Sequence, residues 1–122
     1  MKEKHDGSKA LADAAKAYME EHSAEHFSLE AMAGALYVNG SHLLRTFKRC
    51  TGMTPLAYHH MLRCSRAKEL LAETAKSVSE VGEAVGFVSA SHFSHIFRKT
   101  EGCTPSEYRR AHQAGENGEA DA

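Results

Sequence analysis

Six cations stand in residues 37–68 with no carboxylate among them: Arg45, Lys48, Arg49, Arg63, Arg66 and Lys68. Residues 84–100 repeat this on a smaller scale, with Arg98 and Lys99 and again no acid. A solvated helix face normally mixes both signs, so acid-free stretches carrying base point to an anionic partner. An arginine fork can hold two acceptors at once, such as O6 and N7 of guanine, whereas a lysine ammonium acts as a point charge suited to phosphate. The net charge of −1 hides this asymmetry. Residues 1–36 hold four Lys against seven Asp/Glu, and residues 37–113 hold eleven Lys/Arg against six Asp/Glu. The tail, 114–122, adds three acids and no base.

Other chemistries find less support. Of nine histidines, His22 and His26 are spaced i, i+4 and His92 and His95 i, i+3, yet no acid or cysteine cluster completes a tetrahedral metal set. Cys50, Cys64 and Cys103 are odd in number and far apart, which suggests free thiols in a reducing compartment. No nucleophile elbow, phosphate-cradling glycine loop or convergent carboxylate pair is present, so no enzyme activity, cofactor or metal is expected. No apolar run approaches the roughly 18–20 residues needed to span a bilayer, and the start lacks a secretory apolar region. A cytoplasmic protein with no membrane partner is the expectation.

The elements that position the cations follow from an internal repeat. Residues 41–58 and 91–108 match at an offset of fifty: Ser41/Ser91, His42/His92, Phe47/Phe97, Gly52/Gly102, Thr54/Thr104, Pro55/Pro105 and Tyr58/Tyr108 are identical. Upstream, Leu29, Met32, Ala33 and Leu36 match Val78, Val81, Gly82 and Val85 at an offset of forty-nine. The slip of one residue is expected in a turn, where Gly86-Phe87 replaces the single Tyr37.

Each upstream segment has the i, i+3, i+7 apolar period of a short helix, opened by Ser28 or by Ser77 with Glu80. A turn containing Gly40 or Gly86 leads to a second helix, held by Leu43/Phe47 or Phe93/Phe97. Gly52 and Gly102 end these helices, and Thr54-Pro55 and Thr104-Pro105 open new ones. A first helix at about 9–21, with Leu11, Ala14, Ala15, Tyr18 and Met19 inward, and a long helix at about 55–73 complete the set. The fold class expected is all-α, about seven helices in two helix-turn-helix subdomains (9–53 and 74–113) joined by a long central helix (54–73). Residues 1–8 and 114–122 are expected to be disordered.

The sequence VSEVGEAVGFVSASHFSHIFRKTEGCTPSEYRR (78–110) is similar to the signature of the AraC/XylS family of bacterial transcription regulators. SLEAMAGALYVNGSHLLRTFKRCTG (28–52) and RCSRAKELL (63–71) resemble the family pattern too, so the likeness covers about residues 10–112. It implies a regulator whose two recognition helices enter successive major grooves of double-stranded DNA.

With Leu43, Phe47, Phe93, Ile96 and Phe97 inward, the outward positions are the candidate base readers. They are Gly40, Ser41, Leu44 and Arg45 in the first unit and Ala90, Ser91, Ser94 and His95 in the second. Arg45 is the first choice, for guanine; His95 holds the matching position, where the family often has arginine. Leu44 suits a thymine methyl. Asn39, Lys48, Arg49, Ser89, Arg98 and Lys99 are the candidate phosphate contacts, which position without specifying sequence. The joining helix, about 19 residues at 1.5 Å, spans roughly 28 Å, near the ~34 Å between major grooves one turn apart. A monomer reading an asymmetric site is expected. The alternative is an interaction module that binds RNA polymerase or another regulator, with weak DNA affinity.

Overall fold

A computed structural model describes the backbone of residues 5–121 and the side chains of residues 7–113. The described residues form seven helices and no strand: α1 (His5–Glu21), α2 (Leu29–Ala35), α3 (Gly40–Thr51), α4 (Pro55–Glu73), α5 (Val78–Ala84), α6 (Ala90–Glu101) and α7 (Pro105–Asp121). Their ends lie where the capping chemistry puts them. Ser28 Oγ accepts from Ala31 N at 3.1 Å. Ser77 and Glu80 satisfy each other's backbone N–H at 3.1 and 2.8 Å, and Thr104 with Glu107 does the same at 3.1 and 2.9 Å. The Thr104 N–H also holds the Glu107 carboxyl below the usual carboxylate range. Gly52 (φ +79°) and Gly102 (φ +87°) close α3 and α6 in the left-handed conformation.

Helix also runs into both segments expected to be disordered. Ser8 is tied down, its hydroxyl accepting from Arg49 Nη2 at 3.2 Å. After its cap α7 meets no further proline, so nothing ends it before Asp121. Residues 1–4 and 122, also expected to be disordered, lie outside the described residues.

The chain divides into two compact units, residues 1–59 and 60–122, so the boundary falls inside α4 rather than on either side of it. In unit 1, Ala12, Ala15 and Met19 of α1 are buried with Met32, Ala33, Leu43 and Phe47. Ala12 takes the inward place expected of Ala14, which is exposed, so the α1 face is rotated slightly. In unit 2, Cys64, Ala67 and Leu71 of α4 form a core with Val81, Val85, Phe87, Phe93, Ile96 and Phe97. Burial pushes the Cys64 thiol up to about 11. The rows Ala12/Ala15/Met19 and Cys64/Ala67/Leu71 have the same spacing at an offset of fifty-two. The portion of α4 in unit 2 is thus the counterpart of α1.

The position of the slip differs from expectation. Tyr37 (φ +63°) and Gly86 (φ +109°) both take the left-handed conformation after α2 and α5. Val38 N and Phe87 N then bond Ala33 O and Gly82 O at 3.0 and 2.9 Å. The offset of forty-nine therefore holds through Phe87, and the extra residue is Val88, 91% exposed. At Gly82 a Cβ would lie 2.8 Å from Phe93 Cδ2, so only glycine lets α5 and α6 approach this closely.

Candidate nucleic-acid interface

Burying Leu43, Thr46 and Phe47 leaves one face of α3 to solvent, and burying Phe93, Ile96 and Phe97 does the same for α6. Ser41, Arg45 and Lys48 are exposed and follow i, i+4, i+7, so they stack along one stripe. Ser91, His95 and Arg98 form the same stripe on α6. Leu44 is 39% exposed at the flank of the first stripe, whereas its counterpart Ser94 is half-buried. Ala90 is exposed at the start of α6.

Gly40 departs from expectation. It opens α3 rather than lying in the turn, and it is buried against α2, where a Cβ would lie 3.0 Å from Glu30 Oε2. It is absent from the outward face. Asn39 and Ser89, expected on phosphates, are the N-caps of the two helices. Asn39 Oδ1 accepts from His42 N at 2.8 Å and Ser89 Oγ from His92 N at 3.1 Å. Each satisfies an end group that α3 or α6 would otherwise leave bare.

The structure also sorts the cations of the acid-free stretches. Arg63 is buried at 7% exposure with its guanidinium 5.1 Å from the Phe87 ring centre, and burial lowers its pKa. Arg66 pairs with Glu69 at 2.9 Å and Lys68 with Glu101 at 3.0 Å. Arg49 leans toward α1, lining a groove with Ser8, Lys9 and Lys16. Among the described residues, no ion pair engages Arg45, Lys48, Arg98 or Lys99. Unpaired cations in matching stripes on both helices suit a polyanion.

Two roles escaped the sequence reading. Burial of Arg63 was hidden because base without acid reads as surface. Arg109 and Gln113 donate to the last carbonyls of α4, Leu71 O at 3.0 and 2.9 Å and Thr74 O at 3.2 Å from each. The position of Arg109 in α7 one residue beyond the repeated Tyr108 was the only signal for it. The three thiols are free: Cys50 exposed, Cys103 half-buried and Cys64 buried. No helix among the described residues is long and apolar enough to cross a membrane.

Comparison with known proteins agrees with this arrangement. The family described as a helix-turn-helix domain matches residues 32–111. The MmsAB operon regulatory protein of Pseudomonas aeruginosa is 36% identical over 106 residues, covering 87% of this chain and 34% of that protein. An AraC-type transcriptional regulator from Chromobacterium violaceum superposes with a TM-score of 0.78 at 36% identity, covering 85% of this chain and 93% of that one. The DNA-binding domain of AdpA, solved with a target DNA, gives a TM-score of 0.78 at 34% identity, with the same coverages. The chain spans about a third of the length of the curated relatives it matches. With matching exposed stripes on two helix-turn-helix units and relatives of this kind, the chain belongs to the AraC-type helix-turn-helix family of transcription regulators.

Proposed function

We propose that α3 and α6 each enter a major groove of double-stranded DNA, in succession along one site, and that the chain selects that site for transcription regulation. The observation that carries this reading is the pair of equivalent stripes, Ser41/Arg45/Lys48 and Ser91/His95/Arg98, on helices whose opposite faces are buried. Arg45 reads guanine, His95 reads the second half-site, and Lys48, Arg98 and Lys99 hold phosphates. The units read different bases, so a monomer binds an asymmetric site, and a regulator of this kind acts in the cytoplasm.

Selection from random duplex DNA at two salt concentrations tests the proposal. The expected product is an asymmetric motif with two blocks about one helical turn, 10 base pairs, apart, whose affinity falls steeply with salt. Recovery of salt-sensitive binding without a motif would reject it. Tyr37 (94% exposed) and Val88 (91%), at the turns, favour a second contact with a protein, for which RNA polymerase is the proposed partner. Tyr37→Ala should then lower promoter activation in vitro while leaving DNA affinity unchanged; a parallel loss of both would remove that contact from the proposal.

A further inference from the structure

Unit 2 gathers ionisable groups around one aromatic ring, and unit 1 does not. The Phe87 ring, 4% exposed, has the His60 ring 6.2 Å away, the His92 ring at 5.4 Å and the Arg63 guanidinium at 5.1 Å. The His60 and His92 rings lie 6.3 Å apart. Lys99 follows His92 by seven residues, so both stand on one flank of α6, beside the Ser91/His95/Arg98 stripe. His92 and Lys99 are exposed, and His60 is half-buried.

The repeat shows that the fold does not need this cluster. The unit 1 counterparts of His60, Arg63 and Phe87 are Ser8, Leu11 and Val38, at offsets of fifty-two and forty-nine. His92 and Lys99 correspond to His42 and Arg49, at the offset of fifty. There Arg49 Nη2 meets the neutral Ser8 hydroxyl at 3.2 Å. Unit 1 thus sets its cation beside a hydroxyl, whereas in unit 2 the Lys99 charge acts on an imidazole that can itself be charged.

Electrostatics gives the cluster a direction. Burial, then His92, Arg63 and Lys99, lower the pKa of His60, so its ring is neutral near pH 7. Crowded cations resist a further proton until an anion arrives, because an opposite charge within about 4–6 Å favours the charged form. Phosphate is the anion this flank would meet, since Lys99 stands on it and α6 is proposed to enter the major groove.

We infer that His92 is a phosphate contact of unit 2, bound as imidazolium with His60, Arg63 and Lys99 beside it, so that DNA binding takes up a proton from solvent. The inference rests on the DNA reading given above. It adds a dependence on pH that belongs to one half-site and to no particular base. Binding strengthens as pH falls through the histidine range, opposite in sign to the stability that neutral His60 contributes.

The selected duplex is titrated with the full chain from pH 8 to pH 6, at fixed ionic strength, by fluorescence anisotropy. Calorimetry in two buffers of different ionisation enthalpy counts the protons taken up. Affinity should rise about tenfold over this range, the low end of what an opposite charge does to a neighbouring group, with net proton uptake. His92→Gln, at an exposed position, should remove most of the rise and of the uptake. His60→Gln should reduce both, and His42→Gln, the unit 1 equivalent, should leave them as they are. His95→Gln separates the reader from the flank: it should alter base preference and keep the rise. A rise that survives His92→Gln, or one that disappears only in His95→Gln, would overturn the inference while leaving the DNA reading in place. So would a flat affinity in the unaltered chain. Absence of a selected motif at every pH would remove both.

Discussion

Units 1 and 2 share helix order, caps and core spacing, and they differ where side chains choose between holding the fold and meeting something else. Unit 2 is internally tied: Lys68 pairs with Glu101, Arg109 seats on α4 carbonyls, and Gly86 makes its turn without strain. At the equivalent places unit 1 has Lys16 over the Tyr58 ring at 5.9 Å, the buried His59 against Phe27, and Tyr37 in a left-handed conformation. Unit 1 in turn has an arginine, Arg45, on its exposed stripe where unit 2 has His95. One scaffold thus supports the same helix order with different side-chain ties in each half.

The largest expected effect separates the two stripes. Arg45→Ala should cost about 1–3 kcal/mol at one base position of the site, while His95→Ala costs less at the other half. Lys48→Ala should weaken all sequences about equally. Affinities over a set of single-base variants read this, and a uniform loss for Arg45→Ala would dissolve the distinction between reader and gripper. Next, Gly82→Ala should lower stability by about 1–3 kcal/mol through collision with Phe93, measured by urea denaturation, with the equivalent Ala33 already accommodated in unit 1.

Arg109→Ala should cost about 1 kcal/mol, since Gln113 still donates to Leu71 O and Thr74 O. The Arg109→Ala, Gln113→Ala double variant should cost more than the sum of the two single losses, measured by urea denaturation; strict additivity would show that the two donors do not share the same carbonyls. Gly86→Ala and Tyr37→Gly should shift stability in opposite directions by up to about 1 kcal/mol. The first forces a Cβ into a left-handed turn and the second relieves one, with no packing lost at 94% exposure. The smallest effect is on pH dependence. Burial, then His92, Arg63 and Lys99, lower the pKa of His60. A lowered folded value means the unfolded chain binds the proton first, so the stability contributed by neutral His60 is present above about pH 6.5 and lost as pH falls through the folded pKa. His60→Gln should flatten that decline in thermal scans, and an unchanged slope would assign it to other groups.

Much of this comparison could be read before the fold was known. Identities from Ser41/Ser91 to Tyr58/Tyr108 aligned the second helices of the two units, and Ser77 with Glu80 and Thr104 with Pro105 announced helix starts through local chemistry. The kinship of α1 with α4 was hidden, because it rests on Ala12/Cys64, Ala15/Ala67 and Met19/Leu71, where only size and spacing persist. The offset also changes at each connection, from fifty-two to forty-nine to fifty. Gly40 looked like a turn glycine because its reason for being small, the approach of Glu30 and Leu29, is tertiary. The capping by Asn39 and Ser89 depends on where the next helix begins, which residue type alone does not fix.

The boundary inside α4 makes that helix a shared monomer edge in a tandem polymer: its first turn seals one repeat and its remainder begins the next. Helix α7 opens as α4 does, with Thr-Pro and then tyrosine, so in form it is a place where a third repeat could be concatenated. Carried forward by fifty, the core positions Cys64, Ala67 and Leu71 become Ala114, Asn117 and Asp121. Two of the three, Asn117 and Asp121, are polar in sequence where the matching positions of α4 are apolar.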